Sequence, residues 1–243
     1  MEKVFFENIN NKKIFCYLSE PNSSQRKMVI MIHGFRGNNT GPARQFVDYQ
    51  RLLNNEGFAV LRIDLPNSGN SDGDYLDVSY DEWVNTIVYF AKKYLDQDYK
   101  IALLGQSMGA AAAVIASSKQ ELINKIPCIL LWVPGVNDGD FKGGYDEVFE
   151  EAGQKYKGKF WIEAHTADFF KYLRKYKGGI HLVYGEEDRY ISKELRDKVI
   201  EIVREKGEPF MILEGQDHSP WEYDIIQNVY NAELEKLKEY FNP

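Results

Sequence analysis

The chain has 243 residues, 44% hydrophobic and 28% charged, with 30 basic against 37 acidic side chains and a net charge of −7. That length supports a sizeable buried core, and the composition is that of a globular protein rather than a disordered one. An acidic balance with only short lysine runs (Lys12–Lys13, Lys92–Lys93, Lys155/Lys157/Lys159) excludes a broad nucleic-acid footprint, which needs a clustered basic face. Two cysteines, Cys16 and Cys128, are too few for a disulfide framework; both lie in apolar runs where a thiol packs as a small hydrophobe. No metal-ligand spacing is present, the first twenty residues lack the apolar core of a signal peptide, and no apolar stretch reaches membrane-spanning length. A soluble, cytoplasmic setting is therefore expected.

In chain order, Val4–Phe6 and Ile14–Leu18 flank an Asn-rich turn and predict an antiparallel hairpin. Met28–His33 is a near-continuous apolar run ending in glycine, as a strand buried on both faces should be. A loop (Gly34–Gly41) and a helical stretch (Pro42–Asn55) follow, then a strand at Phe58–Ile63 and a Gly/Ser/Asp/Pro-rich loop, Asp64–Asp74. Trp83, Ile87, Phe90 and Tyr94 recur at helical spacing within Ser79–Leu95. Strands are expected at Ile101–Leu104, Ile129–Val133, Ile180–Tyr184 and Phe210–Leu213, and helices at Met108–Ser118, Ser192–Lys206 and Glu222–Tyr240. This alternation implies a mostly parallel sheet with helices on both faces. Between Val133 and Ile180 the rhythm breaks: more than forty residues rich in Gly, Lys, Tyr and Phe show no clear strand. That is too long for a connection and reads as an insertion, roughly 134–178, capping the carboxyl edge of the sheet in a single domain spanning 1–243.

Two segments match G-x-S-x-G: Gly69–Gly73 and Gly105–Gly109. A nucleophilic serine on this motif needs a sharp turn between a buried strand and a helix. Ser107 has both, with Ile101–Leu104 before it and the alanine-rich run after it; Ser71 has neither and reads as a loop serine. A serine hydroxyl needs a base, usually a histidine held by a carboxylate. Of four histidines, His33 ends a strand, His165 lies in the insertion and His181 sits inside a strand. His218 occupies a polar loop after the last strand, where an open α/β sheet places functional groups, and is the expected base. The acid should follow the strand Ile180–Tyr184; Asp188 fits best, with Glu186 and Glu187 as alternatives and Asp217 as a loop cap. Two backbone N–H groups should face a developing oxyanion: Met108, directly after the serine, and Phe35, in the loop after Met28–His33.

His33-Gly34-Phe35-Arg36-Gly37-Asn38, the Asp64–Gly73 loop, the Ser107 turn, Tyr184–Asp188 and Gln216-Asp217-His218 together resemble the α/β-hydrolase superfamily, in order and over almost the whole chain. Within it, the sequence is similar to bacterial carboxylesterases of the cinnamoyl/feruloyl esterase type, with monoacylglycerol-lipase-like and serine-aminopeptidase-like neighbours. Two positions depart from those relatives: Ser68 stands where glycine or histidine is common, and Gln106 where histidine often precedes the serine. The resemblance implies an α/β-hydrolase fold with an inserted lid, and cleavage of small to medium esters, including those of aromatic acids, through an acyl-enzyme. A small-molecule ester is the expected partner, and the triad chemistry requires no cofactor and no metal; the aromatic residues of the insertion (Phe141, Tyr145, Phe149, Tyr156, Phe160, Trp161, Phe169, Phe170) either roof the pocket or bury the insertion against the body. Thioesterase, amidase or lipase chemistry would use the same triad, and a non-catalytic binding protein on this fold is the alternative of a different class.

Overall fold

The computed structural model describes residues 1–21, 25–136 and 141–241. The chain opens as a hairpin in which β1 (Glu2–Ile9) pairs antiparallel with β2 (Lys12–Ser19). Asn10 and Asn11 join them with φ of 48° and 64°, the left-handed pair that a two-residue hairpin turn demands and that asparagine tolerates. There follow β3 (Lys27–Ile32), α1 (Gln45–Asn55), β4 (Ala59–Ile63), α2 (Tyr80–Leu95), β5 (Lys100–Gln106), α3 (Met108–Ser117) and β6 (Cys128–Trp132). Then come β7 (Val148–Glu151), β8 (Gln154–Lys157), α4 (Lys159–Thr166), α5 (Phe169–Lys175), β9 (Gly179–Gly185), α6 (Lys193–Glu205), β10 (Phe210–Leu213) and α7 (Tyr223–Phe241).

Eight strands form one sheet in the order β1-β2-β4-β3-β5-β6-β9-β10. β2 meets β4 antiparallel, and every pair from β4 to β10 is parallel. The central strands are buried along essentially their whole length, which accounts for their unbroken apolar sequences. α1 and α7 pack together on one face, and α2, α3, α5 and α6 form the layer on the other. α3 is buried at all ten positions, wedged between the sheet and its neighbours. Its run of alanines serves that position, combining high helix propensity with a radius small enough for a helix apolar all round.

Strand order reverses at β3, whose neighbours are β4 on one side and β5 on the other. The loops after β3 and β5 therefore leave the sheet toward opposite faces, opening a crevice at the carboxyl ends of the strands. α2 is capped at its amino end by Ser79, whose hydroxyl accepts the Glu82 N–H. The expected helix from Pro42 is interrupted, because Ala43 and Arg44 adopt φ of 45° and 66°; Pro42–Arg44 form a separate 3-10 turn before α1. No helix among the described residues is long and apolar enough to cross a membrane.

The segment between β6 and β9 corrects one expectation, for it contains strands. β7 and β8 pair antiparallel around Ala152 and Gly153, both at positive φ. Their sequences, VFEE and QKYK, lack the β-branched enrichment of a core strand, since only one face of this short ribbon is covered. Phe149 and Tyr156 pair on that face with ring centroids 5.8 Å apart, while Val148 across the pleat is exposed. Residues 137–140 of the expected insertion lie outside the described residues.

Candidate active site

Ser107 occupies the single-residue turn between β5 and α3 at φ 55° and ψ −125°, a strained backbone for any side chain. The flanking glycines make the turn possible. A Cβ on Gly105 would lie 2.5 Å from the Ala110 Cα, and one on Gly109 2.2 Å from the His33 carbonyl oxygen. The serine is held from below by its own N–H, which donates to the Trp132 carbonyl of β6 at 2.8 Å.

Asp188 follows β9 in a tight turn and is almost wholly buried. Its Oδ1 accepts the N–H groups of Tyr190 and Ile191 at 2.9 and 3.0 Å, and its Oδ2 lies 2.8 Å from Nδ1 of His218. A carboxylate so held fixes the imidazole with Nδ1 protonated and leaves Nε2 as the basic nitrogen. Asp217 does not compete for that ring. Its Oδ1 accepts the N–H groups of His218 and Arg189, and its Oδ2 meets the Arg189 guanidinium, so it ties the histidine loop to the aspartate loop. Burial raises the Asp217 pKa, but those hydrogen bonds outweigh it and hold the carboxyl below its ordinary range. Glu186 and Glu187 point to solvent, and the Glu186 carboxylate accepts the Gly215 N–H.

Ser107 and His218 line one cleft of about 500 Å³, together with Phe35, Arg36, Met108, Val136, Glu151, Trp161, Tyr190 and Ile191. Among the described residues, neither the Phe35 nor the Met108 N–H meets a protein acceptor, while their loop neighbours are spoken for. The Met108 N–H is one of the unpaired donors at the amino end of α3.

The remaining histidines sit in three different settings. His33 accepts the Leu65 N–H on Nε2 at 2.9 Å and donates from Nδ1 to the Gly34 carbonyl at 2.8 Å. Burial pushes its pKa down, so it stays neutral and shapes the loop. His181 is buried in β9 with Nδ1 3.5 Å from Glu233, and His165 is exposed on α4. Ser71, in the second G-x-S-x-G match, accepts the Phe15 N–H and donates to the Asp64 carbonyl.

Of the eight aromatic residues noted in the insertion, Trp161 is the one that lines this cleft. Phe160 is fully buried against Phe35, Tyr80 and Trp83, and Tyr156 meets Phe35 edge-on at 5.0 Å, so these anchor the insertion to the body. Two features of the cleft carried no functional reading in the sequence. Arg36 and Glu151 form a 2.7 Å ion pair between the loop after β3 and the β7–β8 hairpin. Gln106, visible in the sequence only as a departure from relatives, hydrogen-bonds on both sides of Ser107.

Residues 29–224 match the model of an alpha/beta hydrolase family, which spans well over half the chain. The chain belongs to the alpha/beta hydrolase family. Comparison with curated proteins finds no match. Among solved structures, it is similar to Est1E from Butyrivibrio proteoclasticus with ferulic acid bound, at 22% identity, TM-score 0.84 and full coverage of both chains. It is also similar to a monoacylglycerol lipase from Paleococcus ferrophilus, at 17% identity and TM-score 0.71 over 93% of this chain and 99% of that one. A third similar structure is the mouse alpha/beta hydrolase domain-containing protein 10, at 15% identity and TM-score 0.74 over 98% and 99%. At these identities the likeness is one of fold, an eight-stranded, mostly parallel sheet flanked by helices.

Proposed function

We propose that this alpha/beta hydrolase is a serine carboxylester hydrolase working through an acyl-enzyme. The observation that carries the reading is the 2.8 Å contact between the buried Asp188 carboxylate and His218, in a cleft that His218 shares with the strained Ser107. In this reading Ser107 Oγ attacks the ester carbonyl while His218 Nε2 takes its proton; the same nitrogen then protonates the departing alcohol oxygen. Asp188 keeps the imidazole in the required tautomer and stabilises the imidazolium. The N–H groups of Phe35 and Met108 hold the tetrahedral oxyanion, each contributing about 10²- to 10³-fold in rate. Water then attacks the acyl-enzyme with the same base, releasing the acid and regenerating Ser107.

The substrate is a small-molecule ester, and the cleft favours a flat or apolar acyl group. Phe35, Met108, Trp161, Tyr190 and Ile191 supply apolar walls, and the ferulic acid bound to Est1E on a matching fold supports esters of aromatic acids. Residues 134–178 act as the lid of a single domain spanning 1–243, with Gly135, Val136, Glu151 and Trp161 as its contribution to the cleft. The composition supports a cytoplasmic enzyme.

The test is hydrolysis of p-nitrophenyl esters from acetate to decanoate, beside methyl ferulate, together with fluorophosphonate labelling. We expect wild-type protein to hydrolyse members of the series and to be labelled at Ser107, and Ser107→Ala to do neither. Absence of both in wild type overturns the reading, and thioesters and amides become the substrates to try.

A further inference from the structure

The loop after β3 offers three consecutive N–H groups near the cleft, and two of them are taken by side chains from elsewhere. The Gly34 N–H donates to Oε1 of Gln106 at 3.0 Å, and the Arg36 N–H donates to the Tyr75 hydroxyl at 2.7 Å. The Phe35 N–H between them is left without a protein acceptor among the described residues. Gln106 has a second arm. Since Gly34 can only donate, the amide must present its oxygen there, which turns Nε2 toward Ser219, whose Oγ accepts it at 3.1 Å. Gln106 is itself buried, sits next to Ser107, and so joins the loop before α1 to the loop that carries His218.

We propose that Gln106 and Tyr75 are positioning residues that fix the Phe35 N–H as an oxyanion donor, Gln106 also setting the height of the His218 loop. Each restrains a backbone N–H on one side of Phe35, so that the peptide plane between them is presented to the cleft before substrate arrives; Gln106 also lines the cleft, and its positioning role runs through that backbone. A donor held this way costs no reorganisation as charge develops, which is where such donors gain their effect. The inference deepens the reading given above and rests on it.

The test uses the full chain, the best p-nitrophenyl ester from the series, and an aryl trifluoromethyl ketone that forms a hemiketal with the nucleophilic serine. Gln106→Met preserves approximate volume and removes both hydrogen bonds, and Tyr75→Phe removes a single oxygen. We expect kcat to fall about 10²-fold in Gln106→Met and about 10-fold in Tyr75→Phe, because a misplaced donor forfeits most but not all of its worth. KM should stay within about twofold, and affinity for the ketone should weaken in proportion to the fall in kcat/KM, since both report transition-state binding. A role confined to folding would lower the melting temperature without that proportionality. If wild type is active and labelled while both variants keep kcat within twofold, the positioning inference is overturned and the esterase reading stands. Where Gln106→Met does not fold, Tyr75→Phe decides by the same criteria. If wild type is neither active nor labelled, the esterase reading fails and this inference falls with it.

Discussion

At Gly105–Gly109 and at Gly69–Gly73 the chain spells the same five-residue pattern in two physical settings. Ser107 ends a buried strand, holds its backbone at φ 55° and lines a cleft with His218. Ser71 lies in a loop organised by the buried carboxylate of Asp64, which accepts the backbone and side-chain N–H groups of both Asn39 and Asn70. Its hydroxyl is used up at both ends, accepting from Phe15 of β2 and donating to Asp64. The glycines differ in kind as well. Gly105 and Gly109 are required by the approach of α3 to the sheet, whereas Gly69 and Gly73 adopt φ of 55° and 112° to turn a loop. A motif of five letters therefore sets its serine on a strained turn beside a cleft only where a buried strand and a helix meet around it.

Removing each hydroxyl in turn should separate the two serines most widely. Ser107→Ala should lower ester hydrolysis by about 10⁴-fold or more, leaving the melting temperature nearly unchanged, since the side chain makes no hydrogen bond among the described residues. Ser71→Ala should do the reverse. It leaves the Phe15 N–H and the Asp64 carbonyl without their partner, a loss of about 1–3 kcal/mol, with kcat kept within a few-fold. Calorimetry and p-nitrophenyl ester kinetics on both variants check this; a Ser71→Ala enzyme as dead as Ser107→Ala would reverse the assignment.

The same logic separates the two aspartates beside His218. Asp188→Asn cannot hold the imidazole in the Nδ1-protonated tautomer, and kcat should fall by about 10⁴-fold. Asp217→Asn loses an exposed ion pair with Arg189 yet keeps an oxygen for the two backbone donors, so its kcat should fall by less than about tenfold. Equal losses in the two variants would mean that Asp217, not Asp188 alone, orients the base.

How much of this was legible in the sequence depended on how strongly each segment's burial constrains its residues. The core strands announce themselves because both faces are covered, and Met28–Ile32 and Cys128–Trp132 accordingly carry unbroken runs of apolar side chains. Ser107 and Asp188 could be nominated because each follows a strand recognisable in that way, and His218 because it lies in a polar loop after the last, only partly buried strand. The β7–β8 hairpin could not, since one of its faces meets solvent and its inward face is two aromatic residues long. The roles of Gln106, Tyr75 and the Arg36–Glu151 pair depend on contacts between positions far apart in the chain. A sequence can show that Gln106 is unusual, but only the arrangement of three loops shows what its amide holds. The eight aromatic residues of the insertion look alike in sequence; whether one anchors, as Phe160 does, or lines the cleft, as Trp161 does, is decided by which side of α4 it leaves.

The smallest effect expected separates His218 from the other histidine beside the cleft. His33 must stay neutral, because its Nε2 accepts the Leu65 N–H and would become a donor on protonation. Burial lowers its folded pKa below the ordinary imidazole value of about 6.5. Between the lowered folded value and 6.5, the unfolded chain binds the proton and the folded chain does not. The contribution of His33 is thus fully present above about 6.5 and is lost progressively as pH falls below it. Melting temperature measured from pH 7.5 down to 5 should decline in wild type. His33→Asn, less stable at pH 7.5 for want of the full pair of ring hydrogen bonds, should show a shallower decline across that window. The opposite slope, with stability growing on acidification, would mean that His33 is held protonated by Asp64 and that the loop after β3 rests on a charge rather than on a neutral ring.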